Sequence, residues 1–509
     1  MDDKNFYSFF FLWCIVITRF LIFFLIPLKL VGFTYYLKNL YISKNLKKIL
    51  NLSLGFGFGY FLVGFHWIIF PLLYDSFFKY FIPIVIIIFP LFFSLFFLLS
   101  SYLFVLVERK FKIQDSGIFT NSCIIALIFF FSEYLRSSVL GGFPWNLHAH
   151  IWGFDYRFIQ LCKYFGVFGL SFLTIFWIVL ASNLFLKKNY RTSFFIFVIF
   201  PILLFSFSKI NQIDNTGDLL KLRIVQPNIS QENKWSREYF VRNLNKTINL
   251  SFDKNTKQSN SELIVWPEVA IPYVIENSSD FNKILPLNLL NDSILIIGAL
   301  RKENLKNNFK IFNTLFVLSK NGVEDYYDKR KLVPFGEYFP FRSLFNFKKI
   351  TQGDIDFSSG NENKNIRINI NNKDISFEPL ICYEGIFQTF PKLDRRSNLI
   401  VNITNDAWFG TTSGPSQHLT ASRFRSIEKG LPLVRVANTG ISAVFNEKGK
   451  KLISIPLDKE KSETIFLKLA KENTIFSKYG NKCLIILIFL VCLFSNIIDN
   501  LLFRKKLRL

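Results

Sequence analysis

Three short strings in this chain hold side chains able to make and break acyl bonds. Cys382 lies in Pro379-Leu380-Ile381-Cys382-Tyr383-Glu384-Gly385, Glu268 in Trp266-Pro267-Glu268, and Lys329 in Tyr327-Asp328-Lys329. A thiolate is a strong nucleophile, a carboxylate can take the thiol proton, and an ammonium can stabilise an oxyanion. The chain has six cysteines, and Cys14, Cys123, Cys162, Cys483 and Cys492 sit in or beside strongly apolar stretches. Cys382 alone lies well inside the long polar segment. Each of the three residues also has a plainer reading. A free cysteine is often a small buried hydrophobe, Glu268 fits a surface loop, and Lys329 with Arg330 and Lys331 fits a solvated basic turn.

The other nucleophile chemistries are poorly equipped. Of four histidines, only His418 falls in the polar segment. A Cys–His pair or a Ser–His–Asp triad would need it, and no Gly-x-Ser-x-Gly elbow accompanies it. Glu and Lys are therefore the better partners for Cys382. No Cys-x-x-Cys pair or His cluster suggests zinc, and no cofactor is expected. With one cysteine, the polar segment cannot form an internal disulfide.

The elements that must position these residues are short buried strands. Leu222–Val225, Leu263–Trp266, Ile294–Ile297, Thr314–Val317, Asn398–Val401 and Ser442–Phe445 are apolar or β-branched runs, and Ile375-Ser376-Phe377 leads into another. Segments 236–260 and 416–430 read as helical or polar connections. This pattern predicts an α/β domain with strands buried on both faces. Cys382 then follows a strand at a turn, and Glu268 follows another. The Asn/Lys-rich stretch 361–374 reads as a turn or surface hairpin. Phe335, Tyr338, Phe339, Phe341, Phe345 and Phe347 are many aromatics for a solvent loop, and suit a lipid-facing cover.

The rest of the chain is built for a bilayer. Half of the 509 residues are apolar and 64 are Phe. Apolar runs near 51–73, 80–107, 119–138, 165–186, 192–208 and 482–503 are long enough to span. The stretch 5–43, interrupted by Arg19 and Pro27, is read as two short spans, for eight in all. Lys44/Lys47/Lys48, Arg109/Lys110/Lys112, Lys187/Lys188/Arg191 and Arg504/Lys505/Lys506/Arg508 mark alternate loops. The positive-inside rule puts these in the cytoplasm and the polar domain outside. The expected division is 1–208 membrane domain, 209–481 outer catalytic domain, and 482–509 last span with a basic tail. The net charge of +24 fits topology control and anionic lipid, with no nucleic-acid partner expected. A transporter is disfavoured because the spans hold few ionisable residues, Arg19 and His66 being the notable ones.

The order Glu268, Lys329, Cys382 resembles the carbon–nitrogen hydrolase (nitrilase) superfamily. Longer strings narrow this: Trp266-Pro267-Glu268-Val269-Ala270-Ile271-Pro272, Lys331-Leu332-Val333-Pro334-Phe335-Gly336-Glu337, Asn405-Asp406-Ala407-Trp408-Phe409-Gly410 and Gly142-Phe143-Pro144-Trp145-Asn146 resemble the apolipoprotein N-acyltransferase family. The resemblance implies a helical membrane domain plus an αββα sandwich. It implies acyl transfer from a phospholipid, through a Cys382 thioester, to the amine of a diacylglyceryl-cysteine apolipoprotein. It also implies a multi-pass protein of the bacterial inner membrane with its catalytic domain in the periplasm. Glu268, Lys329 and Cys382 become the triad. Glu337, Tyr383 and Glu384 become supporting residues, and Trp235, in Asn233-Lys234-Trp235, is placed at the substrate entrance. Each of these four has a structural alternative, and a membrane-anchored amidase or nitrilase is the competing activity.

Overall fold

The computed structural model describes residues 22–210, 217–252, 262–306, 308–340, 342, 349–350, 355–388 and 397–507. Its residues cluster into two compact units, one of residues 1–69, 82–213 and 475–509, the other of 70–81 and 214–474.

The first unit is helical. Among the described residues, Ile82–Phe111, Ile118–Arg136, Cys162–Leu186, Tyr190–Lys209 and Asn481–Leu502 are long and apolar enough to cross a membrane. Ile22–Ile42 is a further apolar helix, and Tyr41 ties it to Asn183 of Cys162–Leu186 at 2.8 Å. The part of the 5–43 stretch before Ile22, with Arg19, lies outside the described residues. The span expected at 51–73 is broken. Leu46–Gly64 turns by 52° into His66–Tyr74. Pro71 lies in the second piece, and Asn146 Nδ2 donates to the Gly64 carbonyl freed at the break (3.0 Å).

The described part of the helical unit buries ionisable residues other than the two picked out from the sequence. Lys29, Glu133, Arg136 and His148 are all buried. Glu133 accepts from the His148 main chain (3.0 Å) and ring, and from Ser171. Arg136 donates to the carbonyls of Phe143 and Trp145 at 2.8 Å each. Polar groups in apolar surroundings are stable only when partnered in this way. Here the partners hold the Gly142–Asn146 loop to the helix Ile118–Arg136.

The second unit is a sandwich of two sheets. The first contains β1 (Leu219–Gln226), β2 (Leu263–Val265), β3 (Ile271–Ile275), β4 (Ile294–Asn304), β5 (Phe309–Ser319), β6 (Gly322–Asp328) and β13 (Lys461–Lys468). Its order is β13-β1-β2-β4-β5-β6, with β3 on β4. The second contains β7 (Ile366–Ile370), β8 (Lys373–Ile381), β9 (Leu399–Thr404), β10 (Leu433–Ala437), β11 (Ser442–Phe445) and β12 (Lys451–Ile455). Its order is β12-β11-β10-β9-β8-β7.

Side-chain alternation explains the layers. Leu222 and Ile224 of β1 and Val265 of β2 face inward, where they meet Phe377, Val401 and Val434 of the second sheet. Val225, Ile264 and Ile297 face outward, under Phe240, Leu244 and Ile248 of the helix Phe240–Ser251. On the far side, Leu380, Ile400 and Leu433 lie under Leu419 of the helix Gly414–Lys429. The result is the αββα sandwich implied by the resemblance. Stretch 361–374 forms the β7–β8 hairpin, whose Asn371 and Asn372 both take positive φ, as a two-residue turn with right-handed strand twist requires.

Strand direction brings the chemistry-bearing residues to strand ends. β2 is parallel to β4, and two antiparallel steps through β5 make β6 run the same way. Glu268 follows β2, and Lys329 follows β6. Gly298 of β4 lets the Glu268 segment lie close. A Cβ there would stand 2.5 Å from Val269 N and 2.7 Å from Glu268 Cα. Gly298→Val therefore forces this segment away. We expect a loss of about 1–3 kcal/mol, seen as a lower apparent thermal midpoint of the detergent-solubilised protein.

Candidate active site

Glu268, Lys329 and Glu337 form one buried cluster. Their relative exposures are 5%, 1% and 5%, so solvent cannot screen their charges. Lys329 Nζ lies 2.9 Å from Glu337 Oε1 and 3.4 Å from Glu268 Oε1. Asn313 of β5 bridges the same two oxygens, its Nδ2 donating to Glu268 Oε1 at 2.7 Å and Glu337 Oε1 at 2.9 Å. The Asn313 carbonyl also accepts from Lys329 N (2.8 Å), and Lys329 O accepts from Gly360 N (2.9 Å). Glu337 Oε2 takes a last bond from Val333 N at 2.9 Å. Burial works against charge on Lys329. Glu337, then Glu268 and Cys382, outweigh it and hold the ammonium above the ordinary lysine value.

Cys382 reaches this region from the other sheet. β8 ends at Ile381, and Cys382 turns with φ +52°, in the left-handed region uncommon for a residue with a side chain. A short 3-10 helix, Cys382–Ile386, follows. Burial first, and the Glu268 charge second, push the Cys382 thiol up to about 12, while Lys329 acts in the opposite sense. The resting group is thus a thiol whose charged form depends on its neighbours.

Glu384 joins the two segments. Its Oε1 accepts from Tyr327 OH (3.0 Å), Arg330 N (2.8 Å) and Lys331 N (3.1 Å), and its Oε2 accepts from Ile381 N (2.8 Å). One carboxylate thus fixes the Lys329 turn against the Cys382 turn. Tyr383, beside the thiol, is buried and packs edge-on against Phe387 at 4.9 Å. Trp235 is half-buried after the short helix Gln231–Lys234.

His418 sits behind Cys382. Its Nε2 lies 3.2 Å from the Cys382 carbonyl. Its Nδ1 lies 2.9 Å from Asp406 Oδ1 and 3.0 Å from Arg435 Nη2. Burial lowers the His418 pKa, which favours the neutral ring. Donation from Nε2–H to the carbonyl then leaves Nδ1 to accept from Arg435, a tautomer assigned from the network. The ring steadies the Cys382 main chain. Sequence reasoning finds no role for His418, and nothing in the sequence marks Asn313.

Matches to known proteins run along both units. Residues 221–475 match the carbon–nitrogen hydrolase family, and residues 10–181 match the apolipoprotein N-acyltransferase N-terminal domain. A relative from Rickettsia prowazekii, named apolipoprotein N-acyltransferase, is 33% identical over 456 residues, covering 87% of this chain and 88% of its own. The chain belongs to the apolipoprotein N-acyltransferase family. Relatives of the same name from Rickettsia typhi and Brucella suis are 32% and 31% identical, over 90% and 79% of this chain and 91% and 76% of their own. The protein is accordingly a membrane acyltransferase with a nitrilase-like α/β domain.

Two outcomes are expected here. Glu384→Gln turns an amide toward main-chain N–H donors and should cost about 1–3 kcal/mol, read from thermal unfolding. Because Cys382 is held as a thiol, its alkylation by iodoacetamide should keep accelerating above the pH, about 8.5, where an ordinary cysteine levels off.

Proposed function

We propose that Cys382 carries an acyl chain as a thioester, received from a membrane phospholipid and passed to the amine of a diacylglyceryl-cysteine apolipoprotein. The observation that carries this reading is the buried Glu268–Lys329–Glu337 cluster, whose Glu268 and Lys329 charges act on the Cys382 thiol.

In the first half-reaction Glu268 takes the proton of Cys382 as the sulfur attacks the ester carbonyl. Two of the three N–H groups of Lys329 serve the carboxylates. The third, with a main-chain N–H beside Tyr383, meets the tetrahedral oxyanion. The intermediate collapses, the C–O bond breaks, and the lysophospholipid alkoxide leaves with the proton from Glu268. In the second half-reaction the lipoprotein amine attacks the thioester and Glu268 takes its proton. The C–S bond breaks and Cys382 regains the proton. An ester and an amine become an alcohol and an amide, so no ATP or metal is consumed. Glu337 orients Lys329, and Glu384 orients both turns.

Basic residues near helix ends support a periplasmic catalytic domain. Lys44, Arg109, Lys110, Lys187 and Lys188 fall at alternate junctions between the apolar helices, the arrangement expected of cytoplasmic loops. Trp235 is assigned to the substrate entrance. A hydrolase acting on small amides is the competing activity. The apolar helices favour the lipid donor, because a thioester awaiting an amine must be kept from water.

Mass spectrometry of the intact protein from membranes tests this. We expect an acyl adduct mapped to Cys382, lysophospholipid release from donor vesicles, and neither in Cys382→Ala. Glu268→Gln should slow acylation by about 10²–10⁴-fold. Ammonia release from small amides without acylation of Cys382 would exclude the transferase.

A further inference from the structure

Lys234 is a buried lysine in the α/β unit that takes no part in the acyl-transfer steps above. It ends the short helix Gln231–Lys234 and is 4% exposed. Its Nζ donates to the main-chain carbonyl of Glu268 at 3.0 Å. Among the described residues, its ammonium makes no ion pair with a carboxylate. The segment before it is firmly held. Asn438 Nδ2 donates to Ile229 O (2.8 Å), Asn438 Oδ1 accepts from Ile229 N (3.1 Å), and Asn405 Nδ2 donates to Gln231 Oε1 (3.0 Å). The lysine is thus fixed behind Glu268 by strand-end residues of the second sheet.

Charge balance explains why a cation belongs there. The cluster holds two carboxylates, Glu268 and Glu337, against one ammonium, Lys329. Glu384 is engaged by four donors of its own, and Asp406 is paired with Arg435 at 2.8 Å. Without a second cation, the buried cluster would carry one uncompensated negative charge. Such a site relieves itself by taking up a proton. A protonated Glu268 could not serve as a base.

We propose that Lys234 is a positioning residue for acyl transfer, a second cation beside Glu268 that also holds its main chain in place. The assignment rests on the acyl-thioester reading of Cys382. The charges that act on Lys234 are those of Glu268 and Cys382. Lys329 and Glu337 act on Glu268 from the end of β6 and the following loop. Burial pushes the Lys234 ammonium down to about 8, with Glu268 and Cys382 opposing. Lys234 is therefore charged below about pH 8 and loses its proton above it.

The test is the pH dependence of Cys382 acylation by phospholipid vesicles, followed by intact mass in full-length protein. The variants are Lys234→Met, Lys234→Gln and Lys234→Arg. Gln can still donate to the Glu268 carbonyl but carries no charge, and Arg keeps the charge. In the Met and Gln proteins the acid limb should move to higher pH, because removing a nearby cation raises the pH at which a carboxylate ionises. The rate at about pH 6.5 should fall at least about tenfold and recover toward about pH 9. Lys234→Arg should keep the acid limb of the unaltered protein. If Met does not fold, Gln and Arg carry the comparison. Profiles of unchanged shape, lowered equally at all pH values, would overturn the proposal. Absence of any Cys382 adduct in the unaltered protein would instead overturn the acyl-thioester reading.

Discussion

Keeping two carboxylates and an ammonium dry at the edge of a β-sandwich is the demand that organises this α/β unit. Removing ions of this size from water costs several kcal/mol each, and mutual attraction repays that only with near-complete hydrogen bonding. Lys329 meets the condition by standing between Glu268 and Glu337, with Asn313 tying the same oxygens. Each partner arrives on a different piece of chain: Glu268 follows β2, Asn313 lies in β5, Lys329 follows β6, and Glu337 lies in the loop beyond. The strand order β2-β4-β5-β6 is what brings these pieces together. Removing one partner from such a cluster leaves a bare buried charge, a loss of about 3–5 kcal/mol. Stability and chemistry therefore rest on the same atoms.

The second sheet supplies Cys382, the proposed nucleophile, beside the buried Asp406–Arg435 pair. Cys382 enters as a neutral thiol, held at its carbonyl by His418 and linked to the Lys329 turn through Glu384. A resting thiol suits the acyl-thioester role proposed for Cys382. In that role, the thiol would become charged only while an acceptor for its proton and a cation are both in place. A helical unit with its own partnered ionisable residues, Glu133, Arg136 and His148, completes a chain adapted to an apolar setting.

The sandwich was largely legible in the sequence because its strands are buried on both faces and read as unbroken apolar runs. Leu263–Trp266 and Asn398–Val401 show this, and the residues after such runs were natural candidates for the site. β6 and β13 were harder. Both are outermost strands of their sheet with alternating or polar sequences, as in Lys461–Lys468, and resemble surface turns when read singly. The broken helix after Gly64 was also hidden, because its relief comes from Asn146, far along the chain. Asn313, His418 and Lys234 were missed for a related reason. Their partners Glu268, Cys382 and Glu268 lie 45, 36 and 34 residues away in sequence, respectively. A single strand carries no trace of what will face it.

The left-handed turn at Cys382 sets backbone preference against side-chain chemistry. A side chain in that backbone region stores about 1–3 kcal/mol of strain that glycine would not feel. Relieving that strain with glycine would remove the thiol and its buried packing together. The side chain proposed to react is thus held in a backbone conformation that carries a cost.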